Sequence, residues 1–147
     1  MYRQVIILRK DILKNKTGKA IAMGCHCSLA YFTKWIKNNI DKNYHIDAYI
    51  DKDIFDNWIK GSFVKTICEA KNKNHLLKVK TMANELGLVE NIDYGLIYDN
   101  CLTELTPEEE NGTTLTGIWF KPLPDEVAHK ISKKYQLYKD YNESNKN

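Results

Sequence analysis

The chain is predicted to fold as an α/β protein: a single domain on a mixed four-stranded sheet, in the order β-α-β-α-β-β-α, covered by helices on both faces. Three observations carry this expectation. "RQVIILR" is apolar on successive residues, the mark of a strand buried on both faces. "KNKNHLLKVKTMANELGL" places Leu76, Val79, Ala83 and Leu86 on one helical face. Strand-like and helix-like runs then alternate so that two β-α-β crossovers fit, with a shorter connection before the fourth strand that suits an antiparallel partner.

Taken in order, the first strand spans the apolar run Val5 to Leu8 and belongs at the centre of the sheet. A polar stretch follows, with Gly18 as punctuation. From Lys19 onward Ala22, Cys25, Leu29, Phe32 and Ile36 recur every three or four residues, which predicts an amphipathic helix with that stripe facing the core. Residues 37–57 hold no period beyond a turn or two and read as the helix end plus an inserted, irregular excursion. Its Tyr44, Tyr49, Ile50, Ile54 and Phe55 are expected to pack on the domain's own surface, with a homodimer or other partner contact as the alternative. In "WIKGSFVKTICEA", Val64, Thr66 and Cys68 alternate with Phe63, Lys65, Ile67 and Glu69, a second strand.

Asn72 or Asn74 suits the N-cap of the next helix, and Gly87 the left-handed residue after it. "IDYGLIYD" and "TTLTGIWF" read as the third and fourth strands, joined by the turn-rich "NCLTELTPEEENG". In "KPLPDEVAHKISKKYQLYK", Pro124 fits a first helical turn and Asp125 and Glu126 oppose the dipole, with Val127, Ile131, Tyr135 and Tyr138 on one face. The domain is drawn at residues 1–139, and residues 140–147 as a flexible, solvated tail.

At 147 residues, 43% apolar and 28% charged, the composition suits one hydrophobic core. The apolar run at the N-terminus is too short for a signal peptide or membrane span, so a cytoplasmic protein is expected, with no membrane association. A net charge of +3 helps binding to a phosphate backbone only if the cations gather on one face. The four cysteines form no CxxC pair, and Cys25, His26 and Cys27 point about 100° apart on a helix, so free thiols are expected, with no metal and no cofactor.

Ligands in open α/β sheets gather beyond strand C-termini, and two such points stand out. One is the turn after the first strand, with Arg9, Asp11 and then Lys19 at the opening of a helix. A cation there opposes the dipole, a mismatch that a phosphate or developing oxyanion would explain. Lys19, Met23 and His26 share one helical face, either as a cleft wall or as a solvated lysine beside a half-buried histidine. The other point is the exit of the third strand, where Asp99 precedes Thr103 by four residues. Asp99 is either a site carboxylate or the first residue of an Asx-turn. Thr114 and Thr116 face the same choice between site and ordinary strand positions.

Together these segments resemble the type 2 peptidyl-tRNA hydrolase family over most of the chain. "QVIILRKDI" with "TGKAIAMGCHCSLA" resembles the family's strand, Arg-x-Asp-Leu, Gly-Lys and His-bearing helix. "WIKGSFVKTICEA" is similar to its Trp and Gly-Lys-Val strand, "YGLIYDNCLTEL" to its Asp-Ala-Gly-x-Thr-Gln loop, and "TTLTGIWFKPLPDEVAHKI" to its Thr-rich strand and Pro-x-Pro-x-Glu helix. The resemblance implies hydrolysis of the ester of peptidyl-tRNA, with peptidyl-tRNA as partner. Lys19, Asp99, Thr103 and His26 would be catalytic, and Gly18, Met23, Thr114, Thr116, Arg9 and Asp11 would bind substrate. Met23 stands where the family has glutamine, Cys101 where it has glycine and Glu104 where it has glutamine. These departures also fit an alternative, a tRNA- or protein-binding member of the same fold without turnover.

Overall fold

The structure, a computed structural model, describes residues 1–140. The expected tail begins at the last of these, and residues 141–147 lie outside the described residues. The elements are β1 (Tyr2–Arg9), α1 (Lys10–Leu13), α2 (Thr17–Asn39), α3 (Lys52–Ile54), a π-helical segment (Phe55–Ser62), β2 (Val64–Ala70), α4 (Lys73–Glu85), β3 (Tyr94–Asp99), β4 (Thr114–Phe120), β5 (Leu123–Pro124), α5 (Asp125–Ser132) and β6 (Gln136–Leu137). The four expected strands are present, and β5 and β6 add two-residue antiparallel pairings to β1 and β2, so the sheet has six strands.

The order β3-β4-β1-β2-β6 puts β1 in the interior, as its unbroken apolar run requires. Its side chains feed two cores in alternation. Val5 and Ile7 join the cluster under α4 and α5, while Ile6 and Leu8 join Met23, Cys27 and Trp119 under α2. β1 and β2 are parallel neighbours across the α2 crossover. The second crossover differs from expectation: β3 runs parallel to β1 but sits beyond β4, which pairs antiparallel with both. Cross-strand packing makes room for this order, since the Trp119 ring lies so close to its partner Gly95 that a Cβ there would come within 2.4 Å of Nε1.

Helix α4 is capped by Asn72, whose side chain accepts from the His75 amide, and Gly87 takes φ +81 beyond its end. Helix α5 stops at Ser132, earlier than its apolar face suggested. The edge of β2 offers unpaired backbone groups, and Gln136 and Leu137 satisfy some of them in register with Glu69 and Cys68. Tyr135 is buried at the turn between, donating its hydroxyl to the His75 carbonyl at 2.7 Å.

Helix α2 is present, but its buried face is turned from the expected stripe. Ala20, Met23, Gly24 and Cys27 face the sheet, while Cys25 is exposed and Leu29 and Ile36 are 58% and 42% exposed. Small residues allow the close approach to β4 at Gly117, where a Cβ would meet Leu8, the Ile7 carbonyl and then Cys27. Gln4 locks this phase: its amide donates to the Ser28 carbonyl at 2.9 Å and its oxygen accepts from the Ser28 hydroxyl at 2.7 Å. All four cysteines are free, and burial pushes the Cys27 thiol above its ordinary range and Cys68 up to about 11.

In the excursion only Ile54 of the five apolar residues named above is buried, and Trp58 beside it stacks on Phe32. Tyr44 and Tyr49 are almost fully exposed and Ile50 and Phe55 partly so, contrary to the expected local packing. Asp41, whose carboxylate accepts from the Asn43 and His45 amides, closes this chain on itself through backbone instead of side-chain burial.

Candidate active site

Lys19 and Asp99 meet. Lys19 occupies the first turn of α2 and Asp99 the last position of β3, and Nζ lies 2.6 Å from Oδ1, with the side chains 16% and 11% exposed. Nothing acidic stands in that first helical turn and Lys16 supplies no side-chain cap, so the lysine finds its counter-charge across the site. Asp99 also makes the Asx-turn: its Oδ2 accepts from the Cys101 amide at 2.8 Å. The Asx-turn alternative is realised, and the same carboxylate also pairs with Lys19.

Burial raises the Asp99 pKa, but the Lys19 hydrogen bond, the Cys101 amide and the charges of Lys19 and His26 outweigh it, and the net shift is downward. Asp99 is thus an anion in the neutral range. Lys19 carries three N–H donors and one is turned to Asp99, which leaves others for an oxygen in which negative charge develops. His26 lies exposed two turns along α2, close enough for its charge to act on Asp99. Thr103 is exposed on the loop after Asp99, and Gly18 is exposed beside Lys19, with open space where a side chain would be.

Four other expected site residues are turned inward. Met23 is 2% exposed, beneath the Lys19 and His26 flank instead of in its wall, and Thr116 donates to its sulfur at 3.3 Å. Thr116 is the extra residue of a β-bulge, because Ile97 pairs with Gly117 and Tyr98 with Leu115. Its hydroxyl also lies 3.1 Å from the Ile97 carbonyl oxygen. Thr114 is 1% exposed, donating to the Thr106 carbonyl and accepting from the Glu108 amide. These three side chains present no free polar edge to a ligand in this structure. Replacing Met23 with leucine conserves volume and is expected to cost less than about 1.5 kcal/mol and leave turnover within about threefold. A loss above tenfold in a folded Met23→Leu protein would place the sulfur against substrate after all.

The fourth is Arg9, 2% exposed, whose N–H groups are all engaged. Nε and Nη2 donate to Asp11, Nη1 and Nη2 to Glu108, and Nη1 to the Leu115 carbonyl at 3.0 Å. Burial opposes its charge, but the bonds to Asp11 and Glu108 outweigh that and hold its pKa above the ordinary arginine value. Asp11 is correspondingly the partner of Arg9. Glu108 is not singled out by the sequence pattern; the burial of Arg9, visible only in the fold, is what calls for a second carboxylate. Glu104, Glu108, Glu109 and Glu110 all sit on the loop, and spacing does not choose among them.

Cys101 holds φ +58 in the left-handed region, where a β-carbon is strained. Its thiol lies 3.4 Å from the Thr114 hydroxyl and 3.5 Å from the Asp99 carbonyl, contacts that fix the turn without a glycine. Cys101→Gly is expected to stabilise by about 1 kcal/mol, raising Tm by roughly 3 °C. A lower Tm would show that the thiol contacts exceed the strain.

A groove of about 720 Å³ runs along the opposite flank of α2, floored by Ile6, Leu8 and Ile67 and walled by Ile21 and Tyr138. Neither Lys19 nor Asp99 lines it. Charge, donors and a shaped loop instead converge at the strand ends, where open sheets tend to bind ligands. Among the described residues no cluster of three or more His, Cys, Asp or Glu is placed to hold a metal ion, and no helix is long and apolar enough to cross a membrane.

Fold and site define a small α/β protein with a lysine–carboxylate centre where strand ends meet a helix start. The chain belongs to the peptidyl-tRNA hydrolase PTH2 family, whose profile matches residues 2–138. It is 30% identical over 139 residues to the peptidyl-tRNA hydrolase of Nanoarchaeum equitans, covering 94% of this chain and 100% of that one. It is 26% identical over 135 residues to that of Thermoplasma acidophilum, covering 92% and 97%. A probable peptidyl-tRNA hydrolase 2 of Dictyostelium discoideum is 26% identical over 136 residues, covering 92% of this chain and 54% of the relative.

Proposed function

We propose that this protein is a peptidyl-tRNA hydrolase, cleaving the ester between a peptide and the terminal ribose of tRNA to release both. Membership of the PTH2 family gives the reading its substrate class, and the Lys19–Asp99 pair at 2.6 Å is the observation that carries its chemistry. Asp99 orients a water and draws a proton from it as the water oxygen bonds to the ester carbonyl carbon. Lys19 meets the oxyanion that forms. Collapse of the tetrahedral intermediate breaks the bond to the ribose oxygen, which takes the proton held by Asp99 and regenerates the carboxylate. A lowered Asp99 pKa makes a weak base, and the substrate offsets this by drawing Lys19 toward its own oxygen, which loosens the ion pair. Thr103 hydrogen-bonds the substrate, His26 forms the cleft wall, and the open space at Gly18 admits the end of the tRNA.

Lys16, at the start of α2, steers the phosphate backbone. Lys10 is held by Glu69 at 3.7 Å and by the Tyr138 ring and contributes less. Peptidyl-tRNA is made at ribosomes, which puts this reading in the cytoplasm, and the exposed Tyr44 and Tyr49 leave a homodimer within it, checked by sedimentation equilibrium.

The test is release of free tRNA from a purified peptidyl-tRNA, followed across a salt series. Turnover well above the uncatalysed rate, with a KM that rises with salt, is the expected result. Tight, salt-dependent tRNA binding without turnover would replace the reading with that of a binding protein on this fold.

A further inference from the structure

We propose that Glu108 is a positioning residue for the Lys19–Asp99 centre: gripped by the buried Arg9, it sets the path of the loop that carries Thr103 and presents the Cys101 amide to Asp99. The proposal rests on the reading of Lys19 and Asp99 as the reacting pair. Its ground is a chain of contacts from β1 to the site. Arg9 Nη1 donates to Glu108 Oε1 at 2.5 Å and Nη2 to Oε2 at 3.2 Å, a two-point grip on the loop. The Glu108 amide donates to the Thr114 hydroxyl at 3.0 Å, and that hydroxyl donates to the Thr106 carbonyl at 2.7 Å. The same oxygen lies 3.4 Å from the Cys101 thiol, and the Cys101 amide holds Asp99 Oδ2 at 2.8 Å.

The loop between β3 and β4 has no helix or strand of its own, and most of its residues from 102 to 110 are exposed. Leu105 anchors its middle in the core under α2 and the Glu108 and Glu109 amides donate to the Thr113 carbonyl, while the exposed remainder takes its course from where it is tied. Among the described residues it is tied at two points by charge. Arg9 holds Glu108 from the interior, and Lys73 holds Glu109 at 2.5 Å from outside. Only the first tie joins the contacts that reach Asp99. Arg9 can act as a fixed post because Asp11 and the Leu115 carbonyl occupy its remaining donors and β1 is central in the sheet. Displacing a reacting group by about 1 Å costs up to two orders of magnitude in rate, so a loose loop is felt at the site without Glu108 touching substrate.

The experiment compares Glu108→Ala, Glu108→Gln and Lys73→Ala in the full chain. For Glu108→Ala, kcat for tRNA release is expected to fall about tenfold or more with KM within about threefold. Glu108→Gln keeps an oxygen for Arg9 and is expected to recover part of that loss, while Lys73→Ala stays within about twofold of wild type. A carbon-13 NMR titration of the Asp99 carboxyl gives a readout that does not need turnover. Its pKa is expected to rise toward the ordinary carboxylate value in Glu108→Ala as the Cys101 amide bond loosens, with no change in Lys73→Ala. If Glu108→Ala is unstable, Glu108→Gln is read in the same two ways at a temperature where it is folded. A lowered Tm with unchanged kcat and unchanged Asp99 titration makes Glu108 merely structural and overturns the proposal. If wild type releases no tRNA, the hydrolase reading is what fails, and the Asp99 titration alone decides the role of Glu108.

Discussion

Asp99→Asn is expected to lower kcat for tRNA release by roughly 10²- to 10⁴-fold with little change in KM. The amide keeps the size of the side chain and an oxygen for the Cys101 amide, but it cannot take a proton or balance Lys19. Lys19→Ala is expected to lose about 10²- to 10³-fold, the magnitude associated with one oxyanion donor. The two groups are bonded to each other at 2.6 Å, so the double variant should lose much less than the product of the single losses. The acid limb of kcat/KM in wild type should lie below the ordinary carboxylate range, because Asp99 stays ionised until the pH falls through its lowered value. Stability follows the same direction. With the folded pKa below the unfolded one, ionised Asp99 stabilises the fold above the unfolded value and loses that contribution as pH falls through the folded one. Asp99→Asn should therefore show a shallower loss of stability in acid. A wild-type rate no faster than that of both single variants would remove the pair from the chemistry.

Arg9→Ala is expected to destabilise the protein by about 3 kcal/mol, near 10 °C in Tm for a chain of this length. The figure sits at the low end for breaking a buried ion pair because Asp11 and Glu108 are 35% and 38% exposed and can turn to water. What is lost without replacement is the donor to the buried Leu115 carbonyl and the packing of the guanidinium stem. Arg9→Lys should recover less than half, since an ammonium cannot fork to two carboxylates and a carbonyl at once. The check is urea unfolding monitored by circular dichroism. A change below about 1 kcal/mol would mean that the loop and α1 find their places without this hub.

Local chemistry was legible where a few neighbouring residues decide the outcome. The two-faced apolar run of β1, the Asn72 cap and the left-handed Gly87 each follow from the residues around them. The pairing of Lys19 with Asp99 was also within reach, because a cation at a helix start and a carboxylate at a strand exit both belong at one end of an α/β sheet. Where a helical stripe had to be assigned to one of two nearby faces, sequence pattern pointed to Cys25 and Leu29, and the sheet selected Met23 and Cys27. The end of α5 differs from its pattern for a related reason: Tyr135 continues the apolar period, but the open edge of β2 competes for the backbone beyond it.

The sequence by itself determined the order of the main strands and helices, the family, and the residue types available at the strand ends. Tertiary structure alone decided which of those residues face outward. Met23, Thr114 and Thr116 went inward because the bulge at Thr116 and the close approach of α2 to Gly117 bring their atoms within bonding distance of each other or of the loop. Arg9 went inward because a fixed set of acceptors, drawn from α1, the acidic loop and β4, closes around it. Spacing along a chain specifies the direction of a side chain to within one element. Burial depends on what a distant part of the chain sets opposite it, and for these residues that was settled only when β4 took its place between β3 and β1.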